Sequence, residues 1–174
     1  RGFDVTVFEK TDRVGGRNAA LRLGGYKFDT GPTFLMMAFI LEEMFGETGR
    51  NLQDYVELTR LDPLYRLVIG GQEFFPSADL EETKRQIEKH FPGNAGGLDR
   101  FIETERLRFE RLMPCLQKDY GHLTAYLDPV FLKALPRMSL GRSLFQNLGR
   151  YFSDDDLKLC FSFQSKYLGM SPWD

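Results

Sequence analysis

The first 33 residues combine a short apolar segment, an acidic residue and closely spaced glycines. Residues 3–8 are rich in β-branched and aromatic side chains and predict a short buried strand, which ends at Glu9. Paired glycines follow at Gly15 and Gly16, directly before Arg17. Because a glycine has no Cβ, its backbone tolerates positive φ and can approach a bound molecule closely. This spacing indicates a strand followed by a loop that lies against a ligand.

Glu9 and Arg17 are candidate ligands for a dinucleotide. In a dinucleotide-binding βαβ unit, the second strand ends in an acidic residue about 20 residues after the glycine loop. That carboxylate only accepts hydrogen bonds, which suits the two neighbouring hydroxyls of a ribose. The guanidinium of Arg17 suits a pyrophosphate or the face of an adenine. By this interpretation the first strand and the glycine loop precede Arg1, so we expect the chain to be a fragment.

A β-hairpin is predicted next. Residues 18–24 alternate between apolar and polar types, the glycines at 24–25 form the turn, and residues 26–29 form the return strand. Proline fixes φ and lacks an N–H, so a Gly-Pro turn after this strand can bring bare backbone close to a planar ligand. The turn residues are Gly31, Pro32 and Thr33.

Composition excludes several classes of protein. The 174 residues include 23 basic and 25 acidic side chains, a formal net charge of −2, which argues against a cationic nucleic-acid-binding protein. The longest apolar run, residues 34–41, is far shorter than the ~18 residues that span a bilayer. Two isolated cysteines, Cys115 and Cys160, and two histidines predict neither a disulfide framework nor a metal site.

Hydrophobic periodicity and capping residues predict the remaining elements. Helices are expected at residues 39–46, 80–90, 98–116 with an interruption at Pro114, and 157–168. Strands are expected at residues 55–61, 65–69 and 72–75. Two of the helices are predicted to begin at capping boxes, formed by Asp79 with Glu82 and by Ser153 with Asp156.

Residues 129–152 differ from the rest of the chain in charge. They contain Lys133, Arg137, Arg142 and Arg150 but no acidic residue, and apolar side chains alternate with these cations. Such a segment favours contact with an anionic membrane surface. The alternative is a pair of interior-facing helices whose basic side chains face the solvent.

Taken together, Glu9, residues 14–17 and residues 25–33 resemble the FAD-dependent amine oxidase and phytoene desaturase superfamily. Within it, the chain resembles the bacterial-type carotenoid desaturases, which act on phytoene or diapophytoene. The stretches that support this narrower resemblance are residues 31–37, 55–58 with 62–67, and 161–172.

The resemblance implies an α/β flavoenzyme with two parts and FAD as its cofactor. A partial Rossmann-type FAD-binding domain is expected over residues 1–50. An incomplete substrate domain, with a mixed antiparallel sheet and helices, is expected over residues 51–174. The implied cofactor-binding residues are Glu9 at the ribose, Gly15, Gly16 and Arg17 along the cofactor, and Gly31, Pro32 and Thr33 near the isoalloxazine.

The implied reaction belongs to carotenoid biosynthesis. Two hydrogens leave a saturated bond of a long apolar polyene, one as a hydride to the flavin and one as a proton. A hydrocarbon is recognised by shape and apolar contact, so the 16 phenylalanines either line a wide pocket or fill the core. The catalytic residues stay open, with Asp128 and Lys133 as candidates for acid–base chemistry.

Several consequences and alternatives remain at this point. The chain alone is expected to be inactive without the upstream glycine loop, which would bind the pyrophosphate. The complete protein is expected in the cytoplasm, peripherally bound to a membrane through residues 129–152.

The alternative functions include other branches of the superfamily, namely carotenoid isomerases or oxygenases and amine or porphyrinogen oxidases. A non-catalytic prenyl-binding relative is a further alternative. Trp173 is the single tryptophan and gives no sign of an aromatic cage for an amine.

Overall fold

The computed structural model describes residues 2–31 and 34–174. The chain divides into two compact units, residues 1–60 and residues 61–174. Both contain helices and a two-stranded antiparallel sheet, which confirms the predicted mixture of helices and small antiparallel sheets. The sequence predicts a boundary after residue 50, and the assignment of the two parts to cofactor and substrate binding stays a prediction.

The first unit contains one hairpin and one α-helix. Its elements are β1 (Leu21–Leu23), β2 (Tyr26–Phe28), α1 (Ala38–Gly46) and 3-10 turns at Gly16–Asn18 and Leu52–Asp54. Leu21 pairs with Phe28 and Leu23 with Tyr26, so the two strands are antiparallel and are joined by the two glycines at 24–25. Gly24 has a φ of +58°, the conformation that a tight hairpin turn requires. The predicted hairpin and helix are both confirmed.

The predicted buried strand over residues 3–8 is wrong for this chain. Phe3 and Phe8 are 81% and 92% exposed, and no strand among the described residues pairs with this segment. A strand is held by ladder hydrogen bonds to a neighbour, so β-propensity alone does not form one. The same reasoning applies to residues 55–61, which are predicted as a strand but form none.

The second unit contains one hairpin and six α-helices among the described residues. Its elements are β3 (Leu67–Ile69), β4 (Gln72–Phe74), α2 (Leu80–His90), α3 (Gly96–Leu116), α4 (Pro129–Ala134), α5 (Leu144–Leu148), α6 (Asp155–Ser162), α7 (Ser165–Leu168) and 3-10 turns at Leu123–Leu127 and Leu135–Arg137. Leu67 pairs with Phe74 across the hairpin, whose turn glycines both have positive φ. The predicted hairpin is confirmed, with shorter strands than expected.

Helix α2 has the predicted bounds because its first residue is capped. The Asp79 side chain accepts hydrogen bonds from the backbone N–H groups of Glu81 and Glu82, at 2.9 and 3.2 Å. The Glu82 carboxylate instead accepts bonds from Arg85 and Gln86, so only one half of the predicted capping box forms. A single capping carboxylate is sufficient to satisfy the first free N–H groups of the helix.

Two predicted helix boundaries are wrong. Helix α3 is not interrupted at Pro114 but continues to its end at Leu116. Pro114 lies in the last turn, where its missing N–H removes one bond only. The predicted helix 157–168 is divided into α6 and α7, and α6 is capped by Asp154 rather than by Ser153.

The core of the second unit is aromatic. Phe152 is 1% exposed and stacks on Phe161, with ring centroids 4.8 Å apart. Phe101 contacts both rings from α3, at 5.9 and 5.2 Å. Aliphatic side chains surround this cluster, and four of them are at most 1% exposed: Ile87, Leu98, Leu148 and Leu157. This core accounts for part of the high phenylalanine content.

Asn94 joins the turn between α2 and α3 to the start of α6. Its side-chain oxygen accepts hydrogen bonds from Ser153 N at 2.7 Å and Ser153 Oγ at 3.1 Å. Its side-chain nitrogen donates to the carbonyl of Phe91 at 3.2 Å. Asn94 is 5% exposed, so its side chain has little contact with water and its polar atoms are satisfied by these bonds. This contact occupies Ser153 and leaves Asp154 to cap α6.

We expect Asn94→Ala to lower the free energy of unfolding by about 1–2 kcal/mol, because it removes the buried amide that bonds to Ser153 N and Ser153 Oγ. Urea denaturation of the variant and of the parent chain measures this difference. Gln117→Ala is the control, since Gln117 is an exposed amide side chain of the same unit and its loss is expected to change stability by less than about 0.5 kcal/mol. Equal stability of the two variants would contradict the role of Asn94.

Candidate functional site: a carboxylate and glycine loop in the first unit

Glu9 is an exposed carboxylate held in place by a neighbouring residue. Its Oε1 accepts hydrogen bonds from the backbone N–H and from the hydroxyl of Thr11, both at 2.9 Å. These bonds lower the pKa of Glu9 below the usual value of a glutamate, and the backbone bond has the larger effect. Glu9 is therefore ionised at neutral pH, and neither Thr11 bond occupies its Oε2.

Hydrogen bonds link Glu9 to the hairpin. The Thr11 hydroxyl lies 2.8 Å from the backbone carbonyl of Arg13. The Arg13 guanidinium in turn donates to the carbonyl of Ala20 at 3.4 Å, directly before β1. Sequence reasoning missed Thr11 and Arg13. The signal for Thr11 was its position two residues after an acidic side chain, where a hydroxyl commonly forms a local turn.

The glycine pair forms the loop that the sequence predicts. Gly15 and Gly16 have φ values of +117° and +52°, which side chains rarely allow. A 3-10 turn follows, closed by a bond from Asn18 N to Gly15 O at 2.8 Å. A Cβ on Gly16 would meet no described atom within 4 Å, so this side of the loop is open to a ligand.

Gly31 lies against the same loop. A Cβ added at Gly31 would lie 2.0 Å from the backbone oxygen of Arg17, so only glycine fits there. The structure thus brings Gly31 into contact with the Gly15, Gly16 and Arg17 loop. Among the described residues, Arg17 forms no ion pair with a carboxylate. Pro32 and Thr33, the other predicted residues of this turn, lie outside the described residues.

Asp128 has a structural role in the second unit. Its carboxylate accepts a bond from Val130 N at 2.7 Å, which caps α4, and it pairs with Lys118 at 2.5 Å. Both bonds lower the pKa of Asp128, and the bond from Lys118 has the larger effect. Lys133, the other acid–base candidate, is exposed on α4. The identity of the catalytic residues stays open.

The ion pair of Asp128 is expected to contribute stability that depends on pH. Because the pKa is lower in the folded chain than in the unfolded chain, the contribution is present above the unfolded pKa of about 4 and is lost as pH falls through the folded value. Asp128→Asn keeps a capping oxygen but removes the ion pair. We expect the stability difference between parent and variant to shrink between about pH 6 and pH 3. A difference that stays constant in urea denaturation over this range would contradict the assignment.

Both cysteines are free and buried. Burial raises the pKa of the Cys160 thiol to about 12, and the nearby carboxylates of Asp156 and Asp154 add to this effect. Cys160 is therefore a protonated core residue at neutral pH. Within residues 2–31 and 34–174, no group of three or more His, Cys, Asp or Glu side chains is arranged to hold a metal ion.

Residues 129–152 are divided into α4, a 3-10 turn and α5. Leu148 and Phe152 are buried in the core, whereas Leu132 and Leu140 are 47% and 73% exposed. The predicted alternative of interior-facing helices thus fits the second half of the segment. In the described part of the chain, no helix has the length and apolar character needed to cross a membrane.

Comparison with known proteins assigns the chain to a family. The sequence model of the family described as flavin containing amine oxidoreductase matches residues 1–172. The chain belongs to this family. The match covers the Glu9 loop in the first unit and nearly all of the second unit.

Three relatives give the narrower similarity. A 4,4'-diapophytoene desaturase (4,4'-diapolycopene-forming) from Methylomonas sp is 43% identical over 174 residues, which are 100% of this chain and 34% of that protein. A zeta-carotene-forming phytoene desaturase from Myxococcus xanthus is 33% identical, over 99% of this chain and 34% of the relative. A 4,4'-diapolycopene oxygenase from Methylomonas sp is 30% identical, over 99% of this chain and 35% of the relative. The chain spans about a third of the length of these curated relatives.

The residues of the first unit fit the adenosine diphosphate part of FAD. Glu9 supplies an exposed, ionised acceptor for ribose hydroxyls. Gly16 leaves space for a ligand to approach the backbone, and Arg17 supplies a cation that no described carboxylate neutralises. A ribose and a pyrophosphate require these complementary groups. The residues that could hold the cofactor are Glu9, Gly15, Gly16 and Arg17, with Gly31 packed against the loop.

Proposed function

We propose that this chain is part of an FAD-dependent oxidoreductase that desaturates a carotenoid precursor such as phytoene or diapophytoene. The observation that supports this most strongly is the similarity, along the whole chain, to a diapophytoene desaturase. The exposed carboxylate and the glycine loop support it independently, because an ionised acceptor beside open backbone suits a dinucleotide.

The reaction removes two hydrogens from adjacent carbons and forms a carbon–carbon double bond. When bound, FAD supplies the acceptor for the hydride, and the second hydrogen leaves as a proton. Glu9 orients the adenosine end of the dinucleotide through its ribose. Arg17 offsets the charge of the pyrophosphate. Since the substrate has no polar group, its selection depends on the length and shape of an apolar surface.

We propose that residues 1–50 contribute to a Rossmann-type FAD-binding domain and residues 51–174 to a substrate domain. The exposed side chains of Phe3, Val5, Val7 and Phe8 support the first assignment. Covering these apolar β-branched and aromatic side chains with other strands of a larger sheet would stabilise the folded protein. In such a sheet, Glu9 would lie at the end of a strand, where a ribose ligand is expected.

We propose that the complete protein works in the cytoplasm at a membrane surface, because its proposed polyene substrate is apolar and dissolves in lipid. Residues 129–152 support this because four basic side chains there are accompanied by no acidic one. Leu140, 73% exposed, and Leu132, 47% exposed, lie in the same segment. Exposed apolar groups among cations favour an interface with anionic lipid.

The test is production of pigment in a bacterial host that makes colourless phytoene or diapophytoene. The full coding sequence in which this chain lies is co-expressed there, and extracted lipids are separated by chromatography. We expect products of lower hydrogen content that absorb at longer wavelength. Unchanged substrate, in cells that accumulate the folded flavoprotein, would contradict the proposal.

A carotenoid oxygenase is the second candidate, favoured by the similarity to a diapolycopene oxygenase over nearly the whole chain. The same extracts distinguish the two activities by mass spectrometry. A desaturase product loses hydrogen only, whereas an oxygenase product gains oxygen and requires an already desaturated substrate.

A further inference from the structure

Two adjoining cavities, both open to the solvent, lie within the second unit between α3 and residues 136–151. Their volumes are about 460 and 370 Å³, and both are lined by Thr104, Arg137 and Arg150. The smaller cavity is also lined by Arg108, Ser139 and Arg142. The larger one includes Arg100 and one acidic residue, Glu103. We call this pair of cavities the arginine cavity.

Most of the positive charge in the arginine cavity is not neutralised. Glu103 pairs with Arg106 at 2.8 Å, and Arg108 pairs with Glu105 at 2.7 Å. In the described part of the chain, no carboxylate lies within ion-pair distance of the other arginines, Arg100, Arg137, Arg142 and Arg150. These four arginines are exposed, so an anion in the cavity would meet several cations that no described carboxylate neutralises.

Arg108 holds one wall of the cavity in position. Its Nε donates to the carbonyl of Arg137 at 3.0 Å, and its Nη2 donates to Ser139 Oγ at 2.9 Å. Its side chain is only 22% exposed. These bonds fix residues 137–139 against α3, so the cavity exists before a ligand binds and little ordering is required.

The wall also contains a buried acceptor without a donor. Asn147 lines the smaller cavity and is 8% exposed. Its side-chain nitrogen donates to Ser143 O at 3.0 Å, but among the described residues no group donates to its oxygen. A buried polar atom without a partner is unfavourable. This oxygen has almost no accessible surface, so a ligand in the cavity would reach it only if the wall moved.

We propose that the arginine cavity binds a phosphate group, as in hydrogen phosphate or a glycerophosphate. Guanidinium groups match the paired oxygens of phosphate and bind them by two parallel hydrogen bonds. The hydroxyl of Ser139 is a further donor at the same wall, since its oxygen accepts from Arg108, whereas the Thr104 hydroxyl already donates to the carbonyl of Arg100 at 2.8 Å. The source of the phosphate is a lipid headgroup or a soluble compound, and only the lipid source rests on the membrane contact proposed above.

The test uses the full-length protein and titrates it with inorganic phosphate by calorimetry. The variant Arg142→Gln with Arg150→Gln is compared with the charge-matched control Arg111→Gln with Lys89→Gln. Arg111 and Lys89 are exposed on α3 and α2 and do not line the cavity. We expect the cavity variant to bind phosphate at least tenfold more weakly and the control to bind it as the parent does. Absence of binding by the parent, or equal loss in both variants, would overturn the proposal.

The source is identified with vesicles. A lipid headgroup is supported if the parent sediments with phosphatidylglycerol vesicles and the cavity variant does not. The parent should then bind phosphatidylcholine vesicles only weakly. A soluble phosphate compound is supported if the parent binds inorganic phosphate but the parent and the cavity variant sediment equally with vesicles. Neither measurement uses the flavin or the polyene, so failure of the desaturase proposal in the pigment assay would leave this test unaffected.

Discussion

Replacing Gly97 with alanine is expected to lower the free energy of unfolding by about 2–4 kcal/mol. Gly97 is buried in the first turn of α3, which packs on the chain just before α6. An added Cβ would lie 2.1 Å from the backbone oxygen of Tyr151 and 3.1 Å from a ring carbon of Phe152. Because the nearest atom is backbone, relief requires the helix to move away from the aromatic core.

The neighbouring glycine provides the control. Gly96 is the first residue of the same helix, and a Cβ there would meet no described atom within 4 Å. Gly96→Ala is expected to leave stability unchanged or raise it by up to about 1 kcal/mol, since alanine favours helix more than glycine does. Urea denaturation of both variants measures the contrast. A loss in Gly96→Ala as large as in Gly97→Ala would show that the close approach to Tyr151 is not the cause.

Glu9→Ala is expected to weaken FAD binding to the full-length protein about 10- to 100-fold. Hydrogen bonds to a charged group contribute roughly 1.5–3 kcal/mol, which corresponds to this range. The Glu9 carboxylate is exposed and already oriented by Thr11, so its removal would delete the proposed ribose contact without disturbing a core. Flavin fluorescence during titration of the apoprotein measures the dissociation constant.

Asp12→Asn is the matched control for Glu9. Asp12 is an exposed carboxylate three residues away, and its ion pair with Arg13 spans 3.5 Å. Such a pair contributes little to stability, and no part of the proposed cofactor site depends on it. We expect Asp12→Asn to bind FAD as the parent does. Unchanged affinity in Glu9→Ala, or an equal loss in Asp12→Asn, would remove Glu9 from the cofactor site.

Elements whose signals are local could be predicted from the sequence. The hairpin of β1 and β2 follows from an alternating pattern beside two turn glycines. Helix α2 has its predicted ends because both the Asp79 cap and the residues that end it are adjacent in sequence. Residues 3–8 and 55–61 have strand propensity, but a strand also needs a partner that their own sequence does not specify.

Contacts between distant residues explain the remaining differences. Ser153 was a reasonable helix cap, but Asn94, 59 residues earlier, binds it and leaves the cap to Asp154. At the candidate site, the glycine loop could be predicted because its backbone conformation is local, whereas the role of Glu9 at a ribose stays a prediction. The arginine cavity could not, since it combines the acid-free segment 129–152 with Thr104 and Arg108 of α3.

The most direct test of the account is anaerobic mixing of the full-length flavoprotein with diapophytoene or phytoene in lipid vesicles. Absorbance of the oxidised flavin is followed while the polyene is analysed by chromatography. The account predicts that the flavin absorbance falls and that one new double bond forms for each flavin bleached. Two results would contradict hydride transfer from the polyene to the flavin. One is substrate that is desaturated while the flavin stays oxidised, and the other is a flavin that neither polyene bleaches.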